Sequence, residues 1–264
     1  MTEPSTKPYS PEIFQYAFIG TRETIISKLE YLANLAMKEE WNFSNTWDVY
    51  SILRSYILYT FNKVKEEWKL LELWDYSSMN TWLVTENQEE IFMLFEKNKI
   101  QWPGKPPWYF KSFHKESDIE MCAFPTLPKR ANYFENPSDL IYDSNMRLVV
   151  NYEHIIEDNL DRFPEEFQKN SMKTQILKWA IDMALKRVSR NYKIAVPQYS
   201  KWRIQLLLPI CLTALNKADL ALVVSKVIES NGTVYKAFTC LTLDMAINNA
   251  RLICKPDMEW LKPQ

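Results

Sequence analysis

YEHIIEDNLDR, from Tyr152 to Arg162, sets His154, Asp158 and Arg162 four residues apart. On a helix that spacing puts all three on one face. A histidine with a carboxylate one turn away can act as an oriented general base, with the arginine stabilising charge. The pattern is also that of a salt-bridged surface. A second polar cluster is RVSRNYKIAVPQYSKWRIQLLLP, from Arg187 to Pro209. Arg187, Arg190 and Lys193 follow a helical stretch, where cations complement the negative helix end and can also neutralise phosphate. Asn191, Gln198 and Gln205 are amides close to or within strands, where burial would force each to find a partner. If the sheet faces a cleft, these amides can read a base or ribose edge, and Tyr192 or Tyr199 can stack. A third cluster is TLDMAINNAR, where Asn248 and Arg251 share a helical face and Asn249 lies beside them. Two adjacent asparagines inside a helix suggest a role beyond helix formation; the simplest is bonding a neighbouring loop. Finally, Trp102, Trp108, Tyr109, Phe110 and Phe113 alternate with Lys105 and Lys111, as in a single-strand binding surface or a sheet packed under helices.

Several chemistries are excluded. The chain has 3 glycines, so neither common glycine-rich phosphate loop can form. There is no GxSxG elbow and no HExxH. The 4 cysteines are far apart and only 2 histidines occur, so a zinc site lacks its usual spacing. Reduced, buried thiols are the expectation for Cys122, Cys211, Cys240 and Cys254. No metal and no cofactor is expected. A net charge of -1 argues against bulk electrostatic binding of nucleic acid, while leaving room for a local basic face. MTEPSTKPYSPE has no signal-peptide core, and no apolar run reaches the ~18 residues of a membrane span. A cytoplasmic protein without membrane contact is expected.

The elements that must position these residues read as follows. A tail covers residues 1–11. A helical segment, 12–75, holds one helix from Thr21 to Trp41 and a second starting at an Asn45 cap, with Asp48 three residues on, and running toward Trp68. Residues 76–264 form a mixed core, and the whole is one compact domain. Asn80–Thr85 and Ile91–Glu96 predict a hairpin, PWYFKSFH an extended segment, and Arg147–Asn151 a short strand. A helix from His154 yields at Pro164, where PEEF begins a new turn. Met172, Ile176, Trp179, Ala180, Met183 and Ala184 mark one face of the next helix. Lys193–Val196, Ile204–Leu212, Leu220–Val227 and Thr233–Leu241 predict strands, the last two joined by Asn231-Gly232, and Thr242–Ile253 a final helix. The fold class is α+β: an N-terminal helical hairpin on a mixed or antiparallel sheet, with further helices.

FEKN, PWYFKSF, LPKRANYFENPSDLIYD, HIIEDNLDRFP, KRVSRNYKIAVPQY, IQLLLPICL, ADLALVV and TLDMAINNARLI, in that order, resemble an uncharacterised bacterial domain family of unknown function. The resemblance runs from about Leu29 to Leu261. Members sometimes occur beside cold-shock or OST-HTH RNA-binding domains, which implies a link to RNA or nucleotides by association. MNTWLVT departs from the pattern, with Trp82 where a glycine is expected.

Three functions stay open. The first is an RNA- or nucleotide-binding domain using Arg187, Arg190, Asn191, Tyr192, Lys193, Gln198, Tyr199, Gln205, Asn248, Asn249 and Arg251. The second is a nuclease, or another enzyme of nucleotide phosphates, with His154 as general acid or base, Asp158 orienting it and Arg162 at hand. The third is an interaction domain without chemistry, which takes a protein partner or forms a homo-oligomer.

Overall fold

The computed structural model describes residues 12–43, 49–100, 103–230 and 232–263. The N-terminal tail, Asn45 and Asp48, Trp102 and Asn231 of the Asn-Gly turn lie outside the described residues. The fold is α+β, in two compact units, Met1–Asn132 and Tyr133–Gln264.

The first unit carries helices α1 (Ile13–Tyr16), α2 (Arg22–Leu35) and α3 (Ser51–Glu66). Its strands are β1 (Ala17–Phe18), β2 (Leu71–Leu73), β3 (Tyr76–Val84), β4 (Glu90–Lys97) and β5 (Trp108–Lys115). Strand order is β1-β5-β4-β3-β2, with β1 parallel to β5 and the other pairs antiparallel. Thr21 caps α2 by accepting from the Thr24 N–H at 3.4 Å. The helix stops at Leu35, short of Trp41, because Ala36 turns extended. The expected hairpin is present as β3 and β4. Alternate β4 residues serve two faces: Phe95 meets the Tyr16 and Phe61 rings, whereas Phe92 and Leu94 pack with Met121 and Phe124. Trp108, Phe110 and Phe113 are buried, so most of the aromatic run is core. Trp82 has a φ of 60°, a left-handed conformation that glycine adopts most easily, in the stretch where β3–β4 pairing shifts between Asn80 and Val84.

The second unit contains β6 (Leu148–Val150), α4 (Tyr152–Asn159), α5 (Glu165–Lys169) and α6 (Lys173–Arg190). It continues with β7 (Val196–Ser200), β8 (Arg203–Ile210), β9 (Leu220–Glu229), β10 (Gly232–Leu241) and α7 (Leu243–Arg251). The order is β6-β10-β9-β8-β7, with β6 parallel to β10 and the remaining pairs antiparallel. One sheet face presents Leu206, Leu208, Ile210, Leu222, Val224, Ala237 and Cys240 to the core. Leu177, Ala180, Ile181, Ala184 and Val188 of α6 pack there, with Ile155 of α4. This buried stripe is rotated from the face read in the sequence: Trp179 and Met172 point to solvent. Helix α7 packs against β7, β9 and β10.

Two local expectations are corrected. The strand expected at Lys193–Val196 is absent before Val196. The Asn191 side chain accepts from the Lys193 N–H at 3.1 Å and winds Tyr192–Ile194 into a 3-10 turn. The strand begins at Val196 and runs through Pro197, which β7 tolerates because it is an edge strand. The cysteines are also not uniformly buried: Cys122 and Cys254 are exposed, Cys211 is intermediate and Cys240 is buried. Burial pushes the Cys240 thiol up to about 12.

No described helix is long and apolar enough to cross a membrane. Since the thiolate is the reactive form, alkylation of the native protein at pH 8 is expected to modify Cys122 and Cys254 first. Cys240 should react only after unfolding, as peptide mass mapping before and after guanidinium will show.

Candidate functional site

Side chains on a strand alternate between faces. Gln198 and Ser200 on β7, Arg203 and Gln205 on β8, and Val223 and Ser225 on β9 therefore share the face opposite the core, and all line one cleft. On β10 the alternation is interrupted. Ala237 pairs with Val224 and Thr239 with Val223, leaving Phe238 as an extra, bulged residue. After the bulge Cys240 goes to the core, while Thr239 and Leu241 go to the cleft. The cleft has a volume of about 590 Å³ and is also lined by His154, Asp158, Asn159 and Arg162 from α4 and the turn after it. Met245 and Asn249 of α7 and Lys201 of the β7–β8 turn complete its wall.

A row of polar groups forms the floor. Gln198 and Gln205 are direct cross-strand partners and are only 1% and 8% exposed. Asn249 Nδ2 donates to Gln198 Oε1 at 3.1 Å, and Gln198 Nε2 donates to Gln205 Oε1 at 3.1 Å. Gln205 Nε2 then donates to Ser225 Oγ at 2.7 Å. The Ser225 hydroxyl accepts in this row, so its own proton points elsewhere.

The second wall is held by Asn159. Its Nδ2 donates to the Ile155 carbonyl at 2.9 Å, and its Oδ1 accepts from Arg162 Nη1 at 2.6 Å and Thr239 Oγ1 at 2.9 Å. Arg162 Nη1 also donates to the Cys240 carbonyl at 2.7 Å. Both Arg162 bonds use one nitrogen, and the guanidinium keeps its other donors. His154 Nδ1 lies 3.1 Å from Asp158 Oδ2, which leaves Nε2 as the ring nitrogen for a ligand. The imidazole stands edge-on to Phe238, with centroids 6.4 Å apart.

The turn that supplies Lys201 is unusual. Ser200 pairs with Arg203, so Lys201 and Trp202 are a two-residue hairpin loop, and their φ values are 50° and 67°. A loop with two positive φ angles favours Asn-Gly. Here it carries a lysine and a tryptophan.

Arg162, Lys201 and Arg203 thus line the cleft against the single carboxylate of Asp158. That lining suits an anion, and the amide floor suits a ligand with its own donors and acceptors. Among the described residues, no group of three or more His, Cys, Asp or Glu is placed to hold a metal ion.

The family model described as Domain of unknown function (DUF3825) matches residues 32–260. The chain belongs to this family. No curated protein and no solved structure matches it. The whole cleft, from His154 to Asn249, falls within the DUF3825 match.

Of the residues singled out in the sequence, the cleft brings together His154, Asp158, Arg162, Gln198, Gln205 and Asn249. Others lie outside its lining. Arg187 Nη1 donates to Cys211 Sγ at 3.3 Å, and its Nη2 bonds the Leu215 carbonyl. Arg190, Asn191, Tyr192 and Lys193 are exposed at the end of α6 and in the following turn. Tyr199 is buried edge-to-face on Tyr133, with centroids 4.9 Å apart. Asn248 Oδ1 is buried without a hydrogen-bond partner among the described residues, and Arg251 is buried at the end of α7. Sequence reasoning missed Asn159, Ser200, Lys201, Arg203, Ser225 and Thr239. A polar residue at every second position of Gln198–Ser200 and Arg203–Gln205 was the available signal.

Asn159 is buried and joins three polar groups. Asn159→Ala is expected to lower unfolding free energy by roughly 1–3 kcal/mol, measured by urea titration.

Proposed function

We propose that this cleft binds a nucleotide or single-stranded RNA through its phosphate. The observation that carries the reading is the convergence of Arg162, Lys201 and Arg203 on a cleft with one acidic lining residue, Asp158. With a net charge of -1, the chain has no bulk attraction for nucleic acid, so a local cluster has to supply it. The amide floor supports a base-bearing ligand over a bare anion. Asn249 and Ser225 end the row of bonds, and each has hydrogen-bonding capacity beyond it. The resemblance to domains found beside OST-HTH or cold-shock modules points the same way.

Arg203→Ala is expected to weaken binding of a short single-stranded RNA. It should also reduce the slope of log affinity against log salt by about 0.7, the share of one phosphate contact. Arg190→Ala, outside the cleft, should change neither. Fluorescence anisotropy over a salt series reads both. Equal loss in the two variants would move the phosphate site away from this cleft.

A second reading is favoured by the His154–Asp158 contact at the cleft wall. With Nδ1 on the carboxylate, Nε2 can take the proton of a ribose 2′-hydroxyl as its oxygen bonds the neighbouring phosphorus, an arginine can stabilise the charged phosphorane, and the 5′-oxygen leaves as its bond to phosphorus breaks and takes that proton from Nε2. On this reading the chain cleaves RNA, and His154→Ala loses about 10²–10⁴-fold in turnover with the fold intact. Gel analysis of labelled RNA, with circular dichroism on the variant, tests it. An undiminished rate removes His154 from any catalytic role.

A further inference from the structure

Phe238 faces two cavities. Besides the cationic cleft it lines a second one, of about 410 Å³, bounded by Val149, Val150, Asn151, Tyr152, Glu153, Thr174 and Lys236. Phe238 is the bulged residue of β10 and is 45% exposed. A bulge re-aims a side chain, and here the ring stands as the partition between two hollows instead of packing into the core.

The two hollows differ in charge. The first gathers Arg162, Lys201 and Arg203 against Asp158. In the second, Lys236 is already ion-paired with Glu229, and Glu153 adds a carboxylate. A phosphate is attracted to the first and not to the second. The second offers an uncharged guest the polar groups of Asn151, Tyr152 and Thr174 beside the apolar surface of Val149, Val150 and Phe238. That combination of apolar wall and a few polar groups matches a nucleobase. An exposed aromatic ring between a phosphate-attracting hollow and a base-accepting one is the arrangement of a stacking platform on a single strand.

We infer that the ligand spans both hollows. It is a single-stranded oligonucleotide of at least two nucleotides, not a mononucleotide, with a phosphate in the cationic cleft and the neighbouring base beyond Phe238, against its ring. This inference rests on the phosphate reading of the cleft and adds the length of the ligand and the residue that measures it.

The test is isothermal titration of the full chain with the four nucleoside 5′-monophosphates and the four 5′-phosphorylated RNA homodinucleotides. At least one dinucleotide is expected to bind on the order of tenfold or more tightly than its mononucleotide, the gain of one stacked base. Phe238→Ala should abolish that gain, so that dinucleotide and mononucleotide bind alike, and Phe238→Tyr, which keeps the ring, should retain it. Mononucleotides binding as tightly as dinucleotides would overturn the two-hollow ligand and leave the phosphate cleft standing. A dinucleotide gain that survives in Phe238→Ala would likewise overturn it. Binding of neither ligand would overturn both the inference and the reading beneath it.

Discussion

Gln198 and Gln205 face each other across two neighbouring strands, almost wholly removed from water. An unpaired buried amide costs about 1–3 kcal/mol, so their presence constrains everything around them. The β7–β8 register must bring them level, β9 must offer Ser225 beside Gln205, and α7 must approach closely enough for Asn249 to reach Gln198. Replacing any of these by an apolar residue would strand its neighbour. The far side of the same strands is a conventional apolar core under α6. The sheet is therefore apolar on one face and polar in a patch on the other, and that patch is the floor of the cleft.

Charge is added at the edges of this floor rather than within it. Arg203 sits two residues from Gln205 on the same face, Lys201 at the hairpin tip, and Arg162 across the cleft under the control of Asn159. Each cation comes from the rim of an element, where solvent limits its desolvation. The neutral amides take the buried positions, and this division follows from the far larger penalty for burying an unpaired charge.

The broad fold was legible because it rests on patterns that tertiary context reinforces. The apolar run of β8 and the strands flanking the Asn-Gly pair each announced their elements. The α6 stripe was read one face away because Trp179 looks like core in a helical pattern, yet it is left half-exposed. β7 was placed too early, at Lys193–Val196; it starts at Val196 and runs through Pro197, because an edge strand can dispense with that N–H. Arg187, Arg190 and Lys193 are near Gln198 along the chain but do not line the cleft with it, because α6 packs on the core face while Gln198 points to the other. His154 and Asp158 share a face of α4, whereas the helix ends at Asn159 and Arg162 lies in the 3-10 turn that follows; nothing in a linear pattern says that these residues meet Gln198 or Asn249. The bulge at Phe238 was invisible, because it exists only as a mismatch between β9 and β10.

The Lys201-Trp202 turn shows where stability has been surrendered. A hairpin of this geometry is most comfortable with asparagine and glycine, and an L-residue with a bulky side chain is held there against its own backbone preference. A chain selected for robustness alone would have drifted toward the easier pair, and would have lost the cation at the cleft's lip by doing so. The second unit consequently sets the backbone comfort of one turn against the cation that the turn carries. Replacing the pair by Asn-Gly would ease the turn and remove the Lys201 side chain from the lining of the cleft.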